Sequence, residues 1–164
     1  MGRDQSKDAD VLTRARDKAL RLLGVRNRST KELRQRLTAD GFSDSVSDEV
    51  LKKLAESGLL DDRKFALERA RAMGKGKGWG PRKLRADLIQ RGVTNETADE
   101  AIGQAYGKQS SGQIMRRQAK KRFGQEVLSS AADRKTRGKV VRYLLQKGFE
   151  PDEVYGLFGQ EDSD

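Results

Sequence analysis

The stretch MGKGKGWGPRKLR, residues 73–85, gathers residue types that handle phosphate: four glycines on alternate positions, lysines between them, the chain's one tryptophan, and a proline ahead of a basic run. Two phosphate-binding chemistries have fixed spacings that can be tried here. A P-loop needs a hydroxyl directly after Gly-Lys to hold magnesium, but Gly76 and Gly78 stand there. A dinucleotide fingerprint needs a third glycine, but Trp79 and Pro81 occupy its place, and the preceding DDRKFALERARAM reads as helix rather than strand. The glycines therefore read as a flexible joint. Gly80 and Pro81 read as a helix start, since proline at the first helical position loses no hydrogen bond.

Catalytic and metal chemistry has little to work with. The chain has no cysteine and no histidine, which removes thiol nucleophiles, disulfides, the usual zinc sites and the commonest neutral-pH base. The acids stand singly along helical stretches, and the adjacent Asp61 and Asp62 read as a helix N-terminus rather than a magnesium site. No catalytic, metal or cofactor-binding residue is assigned.

The elements that position the basic residues follow from composition and period. Of 164 residues, 34% are hydrophobic and 37% charged, so one thick core is excluded, and the wealth of Ala, Leu, Arg, Lys and Glu predicts an all-α chain. Aligned on a glycine, STKELRQRLTADGFS, GPRKLRADLIQRGVT and TRGKVVRYLLQKGFE superpose Leu33, Leu84 and Val140, then Leu37, Leu88 and Leu144, then Gly41, Gly92 and Gly148. The four-residue gap places the apolar pairs on one helix face, and the glycine suits a left-handed helix stop. Ser29 with Glu32 has capping-box spacing, and Thr136 occupies the matching place in the third segment. A helix precedes and another follows each segment. The prediction is three tandem three-helix repeats in an elongated, curved array: a flexible tail at 1–10, repeats at 11–60, 61–108 and 109–158, and an acidic tail at 159–164.

Charge follows helix order. Residues 63–91 carry ten Lys or Arg against two acids, and residues 116–142 repeat that ratio, while residues 40–62 hold seven acids against two lysines. Stacked repeats would align the basic helices into a stripe suited to a phosphate backbone. The net charge of +10 agrees with a polyanionic partner. Candidate contacts in the middle repeat are Lys75, Lys77, Trp79, Arg82, Lys83 and Arg85, the last three reaching phosphate near exposed N–H groups at a helix start. Those in the third repeat are Arg117, Lys121, Arg122, Arg137, Lys139 and Arg142. Trp79 reads either as a packing anchor or as a stacking ring, and Tyr143 and Tyr155, beside core positions, are not base platforms. Glutamines scattered singly among the bases favour backbone contact over base reading. No apolar run is long enough to span a bilayer and no signal peptide is apparent, so a cytoplasmic monomer is expected.

GLLDDRKFALERARAMGKGKGWGPRKLRADLIQRGV (58–93) and KALRLLGVRNRSTKEL (18–33) carry spacings that resemble the bacterial RecX family of regulatory proteins. The resemblance implies a non-enzymatic modulator that lies in the groove of a RecA filament on DNA and limits its extension. ATP hydrolysis, strand exchange and SOS co-protease activity would fall with it. The third repeat departs most, with Val140 and Val141 in place of a Leu-Arg pair. The alternative reading is a stand-alone, sequence-tolerant DNA-binding protein that contacts single- and double-stranded DNA weakly.

Overall fold

The threefold pattern becomes nine α-helices in the computed structural model, which describes residues 2–107, 109–129 and 132–158. Helices α1 (Gly2–Val25), α2 (Thr30–Ala39) and α3 (Asp44–Glu56) form the first unit. Helices α4 (Asp62–Arg71), α5 (Pro81–Gln90) and α6 (Asn95–Tyr106) form the second, and α7 (Ser111–Phe123), α8 (Arg134–Lys147) and α9 (Pro151–Gly156) the third. No strand occurs among the described residues, and none of their helices is long and apolar enough to cross a membrane. The fold is the expected all-α row of three three-helix units. Residues 2–10, set apart by their polar composition, continue α1, and the acidic tail at 159–164 lies outside the described residues.

The central helices α2, α5 and α8 form for one shared set of reasons. Leu33 and Leu37, Leu84 and Leu88, Val140 and Leu144 are all fully buried, so each helix presents two adjacent turns to its core. Gly41, Gly92 and Gly148 close them at φ of +90°, +84° and +87°. The next amide folds back in each: Phe42 donates to Leu37 O at 3.1 Å, Val93 to Leu88 O at 3.1 Å and Phe149 to Leu144 O at 3.3 Å. This is the Schellman stop, and it needs a residue free of the Cβ penalty. Truncating one of the five leucines to alanine costs about 2–5 kcal/mol.

The starts differ among themselves. Ser29 and Glu32 make the reciprocal capping box, and α5 opens on Gly80 with Pro81 at its first position. Helix α8 begins one turn earlier than Thr136 suggested: Asp133 is the cap, and its carboxylate accepts the Thr136 amide at 2.6 Å. An ionised oxygen at the N-terminal end of a helix outcompetes a hydroxyl already three residues inside it.

Three separate cores result, of eight, ten and ten buried residues. Each is small for an independent domain, so the units depend on their junctions. Of the apolar residues packed on these cores, Tyr106 serves both the second and the third. An ion pair also repeats: Arg34 holds Asp48 across α2 and α3, and Arg85 holds Asp99 at 2.8 Å across α5 and α6. The corresponding third-unit positions carry Val141 and Tyr155 instead.

Candidate nucleic-acid interface

The basic residues converge where the second unit meets the third. The C-terminal end of α8 docks on the N-terminal end of α5, with the Gly80 amide donating to Lys147 O at 2.6 Å and the Arg82 amide to Gly148 O at 3.0 Å. These are the helix-start N–H groups that the sequence offered to phosphate. These two amides already have acceptors, so they are not free for a phosphate beside Arg82.

The glycine run is a packed hub rather than a flexible joint. Helix α4 runs on into a π-helical turn at Ala72–Gly76, and the Trp79 amide returns to Met73 O at 3.1 Å. A Cβ on Gly80 would overlap the Gly148 carbonyl, and one on Gly78, at φ +66°, would overlap the Gln118 side chain of α7. These glycines permit backbone contact between units. Tyr106 completes the hub by donating its hydroxyl to Trp79 O, and burial pushes that phenol up to about 12, so it stays a neutral donor.

Around this hub cations and rings pack together. Lys83 Nζ lies 4.6 Å from the centre of the half-buried Trp79 ring. Lys147 Nζ donates to Lys77 O at 2.9 Å and lies 5.4 Å from the Tyr143 ring. Tyr143 meets Phe123 edge to face at 5.4 Å, and the Arg122 guanidinium stands 5.9 Å from Phe123. The strip from Trp79 to Arg122 thus draws on α5, α7 and α8 and combines phosphate-seeking charge with π faces. Burial, and then the charges of Lys83 and Lys77, hold Lys147 below the ordinary lysine value.

The other candidates are distributed as follows. Lys75 and Arg117 line one shallow cleft with Gly74 and Tyr106. Lys121, Lys139 and Arg142 are exposed on α7 and α8. Arg82 stands 3.8 Å from Glu150. Arg137 donates to Ala132 O at 3.1 Å and lies 5.9 Å from the Phe158 ring. Arg85 is engaged by both oxygens of Asp99, whose hydrogen bond raises the guanidinium's pKa.

Sequence reasoning missed Phe123, Tyr143 and Lys147. Tyr143 and Lys147 are four residues apart on α8, which puts them on one face. The adjacency of Tyr143 to the buried Leu144 concealed that it faces the strip. Among the described residues no cluster of three or more His, Cys, Asp or Glu could hold a metal.

Family models agree with this three-unit division. The first three-helix domain of RecX matches residues 15–54, the second 61–102 and the third 113–157. The regulatory protein RecX of Pelodictyon phaeoclathratiforme is 34% identical over 136 residues, covering 83% of this chain and 81% of that protein. That of Halorhodospira halophila is 34% identical over 149 residues, covering 91% and 89%. The crystal structure of RecX from Lactobacillus salivarius superposes with a TM-score of 0.78 at 23% identity, over 94% of this chain and 98% of that one, a likeness of fold.

Proposed function

Because the chain belongs to the RecX family of regulatory proteins, we propose that it regulates a RecA recombinase by lying in the groove of the RecA–DNA filament. Its presence there limits filament extension, and ATP hydrolysis, strand exchange and SOS co-protease activity fall together. The protein acts as a cytoplasmic monomer and as a ligand of the filament rather than as an enzyme. The observation that carries the nucleic-acid part is the strip of packed cations and rings from Lys83 and Trp79 to Phe123 and Arg122. Lys75, Lys77, Arg117, Lys121, Lys139 and Arg142 extend its positive field. The partner itself is inferred from the family.

The same strip supports a second reading, a stand-alone DNA-binding protein, since charge and stacking act on DNA without another protein. Titrating the protein into RecA hydrolysing ATP on single-stranded DNA separates the two. A filament regulator suppresses hydrolysis at ratios well below one protein per DNA site. A competitor for DNA suppresses it only when it coats the strand, and added DNA then reverses the effect. Binding in either case is weak, sequence-tolerant and steeply salt-dependent, because each phosphate contact releases a counterion.

A further inference from the structure

The two inter-unit junctions share one backbone plan. The residue before each stop glycine, Arg91 or Lys147, offers its carbonyl to the start of the preceding unit's central helix. Ser29 Oγ donates to Arg91 O at 2.6 Å, and the Gly80 amide donates to Lys147 O at 2.6 Å. Ser29 and Gly80 are the two caps, so the third helical position is Glu32 in one junction and Lys83 in the other.

Charge at these matched positions is opposite. Arg91 is paired with Glu32, which also binds Arg26 at 3.0 Å. Lys147 instead faces Lys83 and Lys77, and among the described residues none of these three lysines has a carboxylate partner. Lys147 Nζ thus sits on the Lys77 carbonyl at 2.9 Å, within the influence of the Lys83 and Lys77 charges, at a contact made of backbone hydrogen bonds and without the Glu32 counter-ion that the sister junction carries built in.

We infer that Lys77, Lys83 and Lys147 form a site for one backbone phosphate of single-stranded nucleic acid, seated where Glu32 stands in the first junction. Filling the site locks the α8 end onto the α5 start. A phosphodiester supplies the missing charge and several acceptor oxygens. The flanking Trp79 and Tyr143 faces favour a strand with accessible bases over an acidic protein surface. Nucleic-acid binding thereby becomes coupled to the geometry between units two and three, because whatever binds the closed junction better shifts it closed. The inference rests on the nucleic-acid reading above.

Its test is amide hydrogen exchange at Gly80 and Arg82 in the full-length protein, at low salt, with and without oligothymidylate. Saturating oligonucleotide is expected to slow exchange at both amides by about tenfold, the shift produced by a tenfold preference for the closed junction. Lys83→Glu rebuilds the Glu32 arrangement: it is expected to slow the same amides without oligonucleotide, to weaken oligonucleotide binding, and to gain no further protection from it. Lys83→Gln, which adds no acid, is expected to leave the unliganded rates near wild type while lowering the salt slope of binding by about one. If the oligonucleotide binds and the two amides exchange unchanged, the inference is wrong and the nucleic-acid reading survives. If the oligonucleotide does not bind, both fall. Slowing by polyglutamate but not by oligothymidylate would assign the site to a protein carboxylate and overturn the phosphate assignment.

Discussion

The junction between units one and two is closed by its own side chains, whereas the junction between units two and three leaves its charge outstanding. In the first, Arg26, Glu32, Arg91, Asp87 and Arg69 form a continuous chain of ion pairs, and Asp62 accepts the Thr30 amide at 2.7 Å. The second relies on glycine contacts, two backbone hydrogen bonds, the Lys147-to-Lys77 hydrogen bond, Tyr106 and one exposed ion pair, Arg82 with Glu150, which leaves Lys77, Lys83 and Lys147 unmatched. A matching carbonyl, met by the Ser29 hydroxyl in one junction and the Gly80 amide in the other, thus serves two purposes. A junction whose acids and bases match internally fixes the geometry of units one and two, and one with unmatched cations is open to a ligand. Repetition supplies the frame, and substitution at one position per repeat decides which junction is structural.

The largest expected effect comes from the docking glycines. Gly148 stands at φ +87° against Lys83 backbone and side chain, while Gly41, at φ +90°, has open space because no unit precedes it. Gly41→Ala therefore costs about 1 kcal/mol, the left-handed penalty alone. Gly148→Ala adds the displacement of α5 and costs about 3 kcal/mol in all. Gly92→Ala falls between, since the atoms nearest its added Cβ belong to the Lys31 side chain, its Cβ at 2.6 Å, and not to backbone. Thermal melts of the three variants measure this directly. Equal losses would mean that the glycines merely end helices and that the junctions carry no weight.

A smaller effect distinguishes the junctions by charge. Glu32→Gln weakens two ion pairs and half of the capping box, at about 1–2 kcal/mol. Burial is the largest single influence on Glu32 and on Asp87 and raises both, but their arginine partners together outweigh it and hold both carboxyls below the ordinary value. A lowered carboxylate pKa stabilises the fold above the unfolded value, about 4, and this contribution is lost as pH falls through the folded one. The first junction should therefore loosen in acid. Lys147 has the same sign in a different window: its lowered value means that the unfolded chain holds the proton longer, so the second junction gains stability as pH rises from there towards about 10.4. Protection of the junction amides, corrected for intrinsic exchange, should rise with pH in both junctions but in separate windows, on the acid limb for the first and on the alkaline limb for the second.

Much of this architecture was legible in the sequence, because it is written at local spacing. The leucine pairs, the stop glycines and the Ser29 to Glu32 box each need only a few consecutive residues. What was not legible depends on contact between units. The glycine run resembled a joint because nothing nearby announces Gly148 or Gln118 as neighbours. Asp133 was passed over for Thr136 because copying the register of the other repeats hid the extra turn of α8. Lys147 became significant only when Lys83 was matched to Glu32, a comparison that requires knowing which helix end docks on which start.

The smallest expected effect concerns the repeated ion pair between each central helix and the next. Arg85 belongs by position to the basic strip, yet Asp99 engages it through two hydrogen bonds at 2.8 and 3.4 Å, and the carboxylate is held below its ordinary value by that bond. Both groups are exposed, so the pair contributes little to stability, and neither Arg85→Gln nor Asp99→Asn should move the melting temperature appreciably. Their effects on DNA should nonetheless differ. Arg85→Gln removes a cation already neutralised locally and should change affinity for single-stranded DNA only slightly. Asp99→Asn releases that cation beside the strip and should raise affinity, with the salt slope steepening by about one. The matched change in the first unit, Asp48→Asn, leaves Arg34 with its second carboxylate, Asp44 at 3.8 Å, and there the slope should stay at the wild-type value. If Asp48→Asn steepens it as much as Asp99→Asn does, DNA contacts both junctions alike, and the division between a structural and a ligand-ready junction fails.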